Sequence, residues 1–364
     1  MAGPVRAGGI ELPPECRELV GRVDRELRSF VVSQGREMIG RDPSAAPLFE
    51  ELQRVIHAGG KRLRPLFCCL GHLAAGAAVG DEAIRAAAAL ELLHTFAIVH
   101  DDVMDRSPTR RGSPSSWAHL AGEHERAGLP GDPAAYGIAA AVLAGDMALV
   151  LADRALLESG FPTDRLAPAQ KRYDPMRVEV VAGQFLDVLA AHRGSATESE
   201  ARRIAVLKSG GYTVEAPVQI GAILAGAEEG LLEALSRYGV ALGEAFQLRD
   251  DVLGTFGDPA VTGKDRDSDL LEGKRTVLLA KALAASSGED RMLLEERVGR
   301  ADLKAEELDR IRKVIEAGGA LEATLALIDD LAAEAKRALL EPPVPEPAAE
   351  LLTKMADVVA VRHL

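Results

Sequence analysis

Two short segments of the chain place neighbouring aspartates among apolar residues, a pattern that can bind a divalent cation. In the first segment Asp101 and Asp105 stand four residues apart with Asp102 beside them. On a helix the outer two share one face, about 6 Å apart along the axis. In the second segment Asp250 and Asp251 are adjacent. Converging carboxylates repel one another and lose hydration, so we expect a cation between them, and oxygen ligands favour Mg²⁺.

Basic residues near both acidic segments indicate that phosphate groups bind there as well. They are Lys61 and Arg64 in GGKRLRP, Arg110 and Arg111 after the first pair, and Lys264 and Lys274 after the second. GGKRLRP lies at a predicted helix start, where unpaired backbone N–H groups also attract anions. In a chain with a formal net charge of −13, such local cations indicate two phosphate sites. One would be bridged by metal and the other held directly by Lys and Arg.

Either acidic pair alone could also be a solvated helix end. Two carboxylates on an exposed helix cost only roughly 0.3 kcal/mol, so nothing prevents such a pair from facing water. The presence of two pairs, each followed by a loop rich in Lys, Arg and Gly, favours the metal and phosphate interpretation.

The segments that carry these residues have the apolar spacing of amphipathic helices. The spacing predicts helices at 15–40, 48–57, 66–73, 83–104, 136–159, 175–191, 198–227, 231–256 and 274–285, with further pieces between 305 and 340. Loops are predicted at 106–117, 122–134, 160–170, 257–273 and 341–347. No stretch alternates with the period of two that a strand requires. We therefore expect one all-α domain over residues 1–364, with a loose lead-in at 1–14.

The composition excludes several classes of protein. Hydrophobic residues make up 47% and charged residues 27%, as in a soluble globular protein. Acidic residues outnumber basic ones by 56 to 43, which argues against a nucleic-acid partner. The three cysteines show neither a disulfide framework nor a zinc spacing. There is no signal-peptide pattern and no uncharged apolar run of about 18 residues. We therefore expect a cytoplasmic protein without a transmembrane segment.

The motifs together resemble the trans-polyprenyl diphosphate synthases, the family of geranylgeranyl and farnesyl diphosphate synthases. The matching segments, in family order, are GGKRLRP at 59–65, LLHTFAIVHDDVMDRSPTRRG at 92–112, LAGDMAL at 143–149, GQFLDV at 183–188, KSGGYTVEAP at 208–217, and FQLRDDVLG with TGKDRDSDLLEGKRT at 246–276. They cover nearly all of the chain except its tail. A single DDxxD motif would be weak, whereas this ordered set is highly specific.

The resemblance implies an all-helical bundle around a central cavity, usually a homodimer, of the isoprenoid synthase type. The implied reaction joins isopentenyl diphosphate to an allylic diphosphate (dimethylallyl, geranyl or farnesyl) and releases pyrophosphate. By position, Asp101 and Asp105 would bind Mg²⁺ with support from Asp102. Asp250, assisted by Asp251, would bind a third Mg²⁺ ion.

The resemblance also assigns the basic residues to the two substrates. Arg110, Lys208 and Lys264 would hold the allylic diphosphate. Gln247 and the backbone near Ser209 would face the allylic cation with the negative ends of their dipoles. Isopentenyl diphosphate would be held by the remaining basic side chains, which are Lys61, Arg64, His94 and Arg111, with Lys274 nearby.

Three departures from the family pattern affect these assignments. Gly254 stands where many members have the last aspartate of the second motif, so one carboxylate is missing. Because Asp250 is retained, we still expect activity. Ser209 replaces a common threonine and keeps the hydroxyl. Asp267-Ser268-Asp269 replaces a commoner Gly-Asp-Asp, which should alter the loop and its metal contact.

The length of the product should depend on the side chains upstream of Asp101. Phe96 and Ala97 lie five and four residues before it, about one helical turn away. An aromatic residue at minus five resembles synthases that make the C20 product, although Phe96 could equally be an ordinary core residue. A farnesyl or longer product remains an alternative. So do a class I terpene cyclase and a regulatory subunit of a heteromeric synthase. The cyclase is disfavoured because aromatic residues are only 4% and no NxxxSxxxE pattern occurs.

Overall fold

The structure, a computed structural model, describes residues 12–257, 267–300, 302–340 and 344–360. Their packing divides the described chain into two compact units. The first unit comprises residues 14–69 and 78–166. The second comprises residues 70–77 and 167–360, together with 12–13. Helices make up nearly all of the regular structure in both units, which confirms the all-α prediction.

The first unit is built around two long, closely packed helices. Its elements are α1 (Pro14–Arg41), a 3₁₀ turn (Pro43–Ala45), α2 (Ala46–His57), the start of α3 (Leu63–Ala74), α4 (Asp81–Met104), strands β1 (Thr109–Arg110) and β2 (Ser113–Pro114), α5 (Ser116–Arg126) and α6 (Pro133–Leu157). Helices α4 and α6 pack together along much of their length. The small buried residues Ala141, Ala144 and Ala148 on α6 permit this close approach.

The second unit is centred on one buried helix, α10. Its elements are α7 (Thr163–Arg193, from residue 167 onward), α8 (Glu198–Ala205), a π-helical segment (Val206–Glu215), α9 (Ala216–Ala225), α10 (Glu229–Phe256), α11 (Ser268–Glu272), α12 (Val277–Ala285), α13 (Gly288–Arg297), α14 (Ala305–Ala317), α15 (Ala320–Ala338) and α16 (Ala348–Ala360). Helix α10 packs against α15, α16, α9 and the π-helical segment. This central position fixes the backbone that carries the second acidic pair.

The predicted helices agree with the structure to within a few residues, but several elements were not predicted. Helices α5, α11, α13 and α16 were missed, and the predicted loop at 160–170 is wrong because α7 begins at Thr163. Two prolines inside α7, Pro168 and Pro175, made that segment resemble a loop. They lie seven residues apart on one exposed face, so water can bond the carbonyls that each proline leaves unpaired. Residues 258–266 of the predicted loop at 257–273 lie outside the described residues.

The loop after α4 contains a hairpin of two short antiparallel strands, in which Arg110 pairs with Ser113. The two residues between them, Arg111 and Gly112, have φ angles of +53° and +73°. Two consecutive left-handed residues form the tight turn whose twist matches that of paired strands. The hairpin therefore fixes the backbone conformation from which the Arg110 and Arg111 side chains project.

Two helices are long and apolar enough to cross a membrane, judged by length and composition only: α4 and α6. Core helices of soluble proteins meet the same criterion. The apolar window of α4 is 67% buried, whereas that of α6 is only 33% buried. Most of the apolar surface of α6 is therefore not covered by the rest of the described chain.

Candidate active site

The first acidic segment lies at the C-terminal end of α4. Asp101 and Asp102 are in its last turn, and Asp105 is the C-cap, whose backbone N–H bonds the Asp101 carbonyl. The carboxyl end of a helix carries partial negative charge and disfavours further negative charge. Three carboxylates at this position therefore need cations nearby.

Arg110 supplies part of that positive charge. Its contacts with Asp102 and with Asp101 differ, which gives the two aspartates different roles. Its Nε donates to both carboxylate oxygens of Asp102 at 2.8 Å, and its Nη2 lies 3.3 Å from Asp101 Oδ2. Burial lowers the pKa of Arg110, but the charge and hydrogen bonds of Asp102, together with the charges of Asp101 and Asp105, outweigh this and the net shift is upward. The Asp102 side chain is 4% exposed, against 22% for Asp101. Both carboxylate oxygens of Asp102 are thus bonded to Arg110, whereas Asp101 is accessible to a metal ion.

Arg62 anchors the GGKRLRP segment from within. Its guanidinium donates to Asp24 at 2.8 Å, to Glu91 at 2.6 Å and to the Ile56 carbonyl at 2.7 Å. Arg62 is 3% exposed, and its backbone has a left-handed φ of 48°, which is unusual for a residue with a side chain. These bonds hold the loop in a conformation that it would not adopt by itself. Arg62 therefore positions its basic neighbours instead of binding an anion.

The other basic residues of the first unit gather around His94. Burial lowers the pKa of this imidazole well below its ordinary value, and the charges of Arg64, Arg111 and Arg110 lower it further. Arg111 Nη1 also donates to the carbonyl of Gly59 in the GGKRLRP segment. Lys61 is half-buried in the same segment. The structure thus brings Arg64, Arg110 and Arg111 together around an imidazole that is neutral at pH 7. Such a cluster of cations is suited to an anion.

The second acidic segment lies on α10. Gln247 Nε2 donates to Asp251 Oδ1 at 2.7 Å, one helical turn away. Asp251 is 7% exposed, whereas Asp250 is only half-buried. Burial, followed by the charge of Asp269, raises the pKa of Asp251 well above its ordinary value. Asp250 is therefore the more accessible carboxylate, and Asp251 is held behind it by Gln247.

Lys208 and Ser209 lie in the π-helical segment between α8 and α9. Lys208 Nζ lies 2.6 Å from Asp187 Oδ2 of α7. A Cβ added to Gly210 would lie 2.8 Å from the carbonyl carbon of Gly243 on α10, so this segment lies directly against the α10 backbone. π-Helical turns occur frequently at functional sites. Here the turn places Lys208 near the helix that carries the second acidic pair.

Of the remaining predicted lysines, Lys274 lies between α11 and α12. Lys274 Nζ lies 2.7 Å from Glu272 Oε2 and 3.3 Å from Asp269 Oδ1, which places it beside the second acidic segment. Lys264 lies outside the described residues.

The donor set of each acidic segment fits Mg²⁺ only with ligands from outside the protein. No three His, Cys, Asp or Glu side chains among the described residues converge into a complete metal cage. Mg²⁺ usually takes one or two carboxylates and completes its octahedral coordination with water and phosphate oxygens. Asp101, Asp105 and Asp250 are accessible carboxylates of this kind.

Three residues that contact this machinery were not identified from the sequence: Asp24, Glu91 and Asp187. Asp187 had a local signal, since it lies in the GQFLDV segment. Asp24 and Glu91 lie 38 and 29 residues from Arg62, the residue they hold. Pairings at that separation depend on helix packing, which sequence periodicity does not specify.

Comparisons with known proteins identify the family of the chain. The chain matches the model of the polyprenyl synthetase family over residues 46–316. It is 33% identical to a geranylgeranyl pyrophosphate synthase of Geoglobus acetivorans, over 80% of this chain and 84% of that protein. It is also 33% identical to a geranylfarnesyl diphosphate synthase of Aeropyrum pernix, over 74% of this chain and 79% of that protein.

A solved structure is similar over nearly the whole chain. It is a geranylgeranyl pyrophosphate synthase of Corynebacterium glutamicum, complexed with isoprenyl diphosphate and magnesium. It has 34% identity and a TM-score of 0.91, and the match covers 95% of this chain and 99% of that one. The chain described here therefore belongs to the polyprenyl synthetase family and is a trans-prenyltransferase, an enzyme of the class that joins isopentenyl diphosphate to an allylic diphosphate.

Proposed function

We propose that this enzyme extends allylic diphosphates to the C20 product geranylgeranyl diphosphate. The observation that carries the chain length is the ring of Phe96, one turn before Asp101 on α4. Its centroid lies 4.7 Å from that of His100 in an edge-to-face contact. His100 Nε2 lies 3.0 Å from the Val142 carbonyl of α6. A Cβ on Gly145 of α6 would overlap the His100 ring, so the ring has little room to retreat.

This packing supports a role for Phe96 in limiting the product. A bulky ring that is backed by a second, tightly packed ring presents a rigid obstacle to a growing prenyl chain that runs along α4. The small side chain of Ala97 leaves Phe96 as the larger of the two residues proposed to set the length.

The basic cluster of the first unit supports a role in holding isopentenyl diphosphate. Lys61, Arg64 and Arg111 would neutralise the diphosphate charge. His94, with its lowered pKa, would donate a hydrogen bond as a neutral imidazole. The isopentenyl carbon chain has no polar groups to bind, so most of the recognition of this substrate would come from contacts with its diphosphate.

The two acidic segments would hold Mg²⁺ ions, three in total, around the allylic diphosphate. When bound, these ions neutralise the negative charge that develops on the departing diphosphate. Asp101, Asp105 and Asp250 would be the direct ligands, with Asp102 and Asp251 behind them. Arg110 and Lys208 would contact the diphosphate, oriented by Asp102 and Asp187 respectively, and Lys264 and Lys274 would add further charge. Gln247 and Ser209 would face the allylic cation.

Product analysis tests the proposed chain length. Wild-type enzyme should accumulate C20 diphosphate, and Phe96→Ala should make longer products because the obstacle is removed. Ile98→Ala is a matched control on the same helix, since Ile98 packs into the core cluster around Val99. It should still yield C20. Unchanged products from Phe96→Ala would contradict the role of the ring, and C25 from the wild type would favour the activity named for the Aeropyrum pernix relative.

We also propose that the enzyme acts as a cytoplasmic homodimer. Six strongly exposed apolar side chains form one row on α6 and another on α7: Leu143, Val150 and Leu157 at 58%, 65% and 60% exposure, and Val178, Val181 and Phe185 at 69%, 58% and 65%. Rows of this size on a soluble protein usually mark an interaction surface. A second copy of the chain is the proposed occupant, which would also explain the apolar, poorly buried α6.

All three cysteines are buried and reduced, as a cytoplasmic protein requires.

A further inference from the structure

Gly254 leaves space in the second acidic motif, and the side chain of Asp269 occupies that space. A Cβ added to Gly254 would overlap Asp269 Oδ2 and would lie 2.6 Å from Asp269 Cγ. Residue 254 lies four residues after Asp250, on the same face of α10. The Asp269 carboxylate thus lies against the α10 backbone at the position where the last carboxylate of the motif would begin.

The structure holds Asp269 in this position through its neighbours. Asp269 is in the first turn of α11, two residues after Asp267, which is the N-cap of that helix. Asp267 forms an ion pair with Arg312 of α14, and Arg312 Nε also donates to the Thr255 carbonyl at 2.8 Å. Arg312 is 8% exposed, so these bonds are shielded from water. Arg312 therefore ties the start of α11 to the end of α10. In the altered Asp267-Ser268-Asp269 segment, Asp267 holds the backbone in place through Arg312, and Asp269 supplies the negative charge.

Asp269 also interacts with the charges that the motif already contains. Its carboxylate lies close enough to Asp251 to interact with it electrostatically. Lys274 Nζ lies 3.3 Å from Asp269 Oδ1. The carboxylate of Asp269 is thus added to those of Asp250 and Asp251, and among the described residues Lys274 is the lysine that pairs with it. These three carboxylates carry the same total charge as a second acidic motif that contains three aspartates.

We propose that Asp269 takes the place of the third carboxylate of the second acidic motif, and that Gly254 is required to admit it. The inference rests on the proposed function, because it assigns these carboxylates to Mg²⁺ bound with diphosphate. It predicts that positions 254 and 269 are coupled. A side chain at 254 should displace Asp269, and a carboxylate is needed at only one of the two positions.

Exchange of the carboxylate between the two positions tests this coupling. The variants are Asp269→Ala, Gly254→Asp and the double variant that carries both changes, with Asp290→Ala as a control on the exposed face of α13. The readout is the Mg²⁺ concentration at which inorganic diphosphate raises the Tm of the full chain, measured beside the steady-state rate. Asp269→Ala should raise the midpoint Mg²⁺ concentration about 10- to 100-fold, as loss of a supporting ligand does. The double variant should recover most of that loss, and Asp290→Ala should match the wild type.

Two outcomes would overturn the inference. One is an Asp269→Ala midpoint equal to that of Asp290→Ala, and the other is a double variant no better than Asp269→Ala. If Gly254→Asp alone does not fold, the comparison of Asp269→Ala with the control still decides. Failure of the proposed Mg²⁺ role would be distinguishable, because diphosphate would then not raise the Tm of the wild type at any Mg²⁺ concentration.

Discussion

Arg62 and Glu91 form a buried ion pair with Nη1 and Oε1 2.6 Å apart, each side chain only 3% exposed. The pair joins the GGKRLRP loop to α4, ten residues before Asp101. It thus connects the segment proposed to bind isopentenyl diphosphate to the helix proposed to bind Mg²⁺.

Removal of one partner of this pair should destabilise the protein and weaken substrate binding. Arg62→Met leaves Glu91 charged and buried, which should lower the free energy of unfolding by about 3–5 kcal/mol. The double variant Arg62→Met/Glu91→Leu removes both charges and should regain much of that stability, measured by urea denaturation. It should nevertheless keep a raised KM for isopentenyl diphosphate, because the loop remains unanchored. A double variant with normal KM would show that Arg62 stabilises the fold without positioning the loop.

Asp102 should act on catalysis through Arg110. In Asp102→Asn the guanidinium loses its fixed orientation, and kcat should fall about 10- to 100-fold with a smaller effect on the KM for isopentenyl diphosphate. Arg110→Lys should not retain activity, because an ammonium cannot make the same paired contacts. A double-mutant cycle between the two positions measures their coupling. Additive effects on kcat would mean that Asp102 acts independently of Arg110, for example as a direct metal ligand.

His94 should make the unliganded enzyme sensitive to acid. The pKa of His94 is lowered in the folded state and is about 6.5 in the unfolded chain. The unfolded chain therefore binds the proton more tightly. The resulting stability is present above about pH 6.5 and is lost as the pH falls through that value toward the folded-state pKa.

Thermal unfolding between pH 7.5 and pH 5.5 checks this expectation. The Tm of the wild type should fall toward the acidic end, and His94→Gln should show a smaller fall. His57→Gln, which changes an exposed histidine on α2, should behave like the wild type. Equal slopes for the wild type and His94→Gln would contradict the assignment.

The sequence predicted the chemistry of this protein better than its supporting contacts. The acidic pairs, the basic loop and the helical class follow from local spacing, because helical periodicity places Asp101 near Asp105 and Gln247 near Asp251. The commitment of Asp102 to Arg110 depends on a hairpin whose turn requires two left-handed residues. The replacement of a carboxylate at 254 by Asp269 depends on Arg312, 45 residues beyond Asp267. Such contacts are tertiary, and no local pattern encodes them.

The exposed apolar row on α6 gives a prediction about assembly. Val150→Glu places a charge in the middle of that row and should convert a dimer into monomers, because burying an unpaired carboxylate in an interface is costly. Light scattering coupled to size-exclusion chromatography measures the mass directly. Met292→Glu is the control, since this 54% exposed side chain lies on α13, outside both rows. A wild-type protein that is monomeric at every concentration would contradict the proposed dimer.

The most direct test of the proposed mechanism is Mg²⁺-dependent condensation by the purified chain alone. Labelled isopentenyl diphosphate is supplied with dimethylallyl, geranyl or farnesyl diphosphate, with Mg²⁺ or with chelator. Wild-type enzyme should form C20 diphosphate only with Mg²⁺. Asp101→Asn and Asp250→Asn should each be slower by about 100-fold or more, because each removes charge that stabilises the departing diphosphate. Asp81→Asn, at the opposite end of α4 with its side chain 86% exposed, should retain full activity. Absence of condensation by the wild type alone, or an Asp101→Asn enzyme as active as Asp81→Asn, would contradict the account.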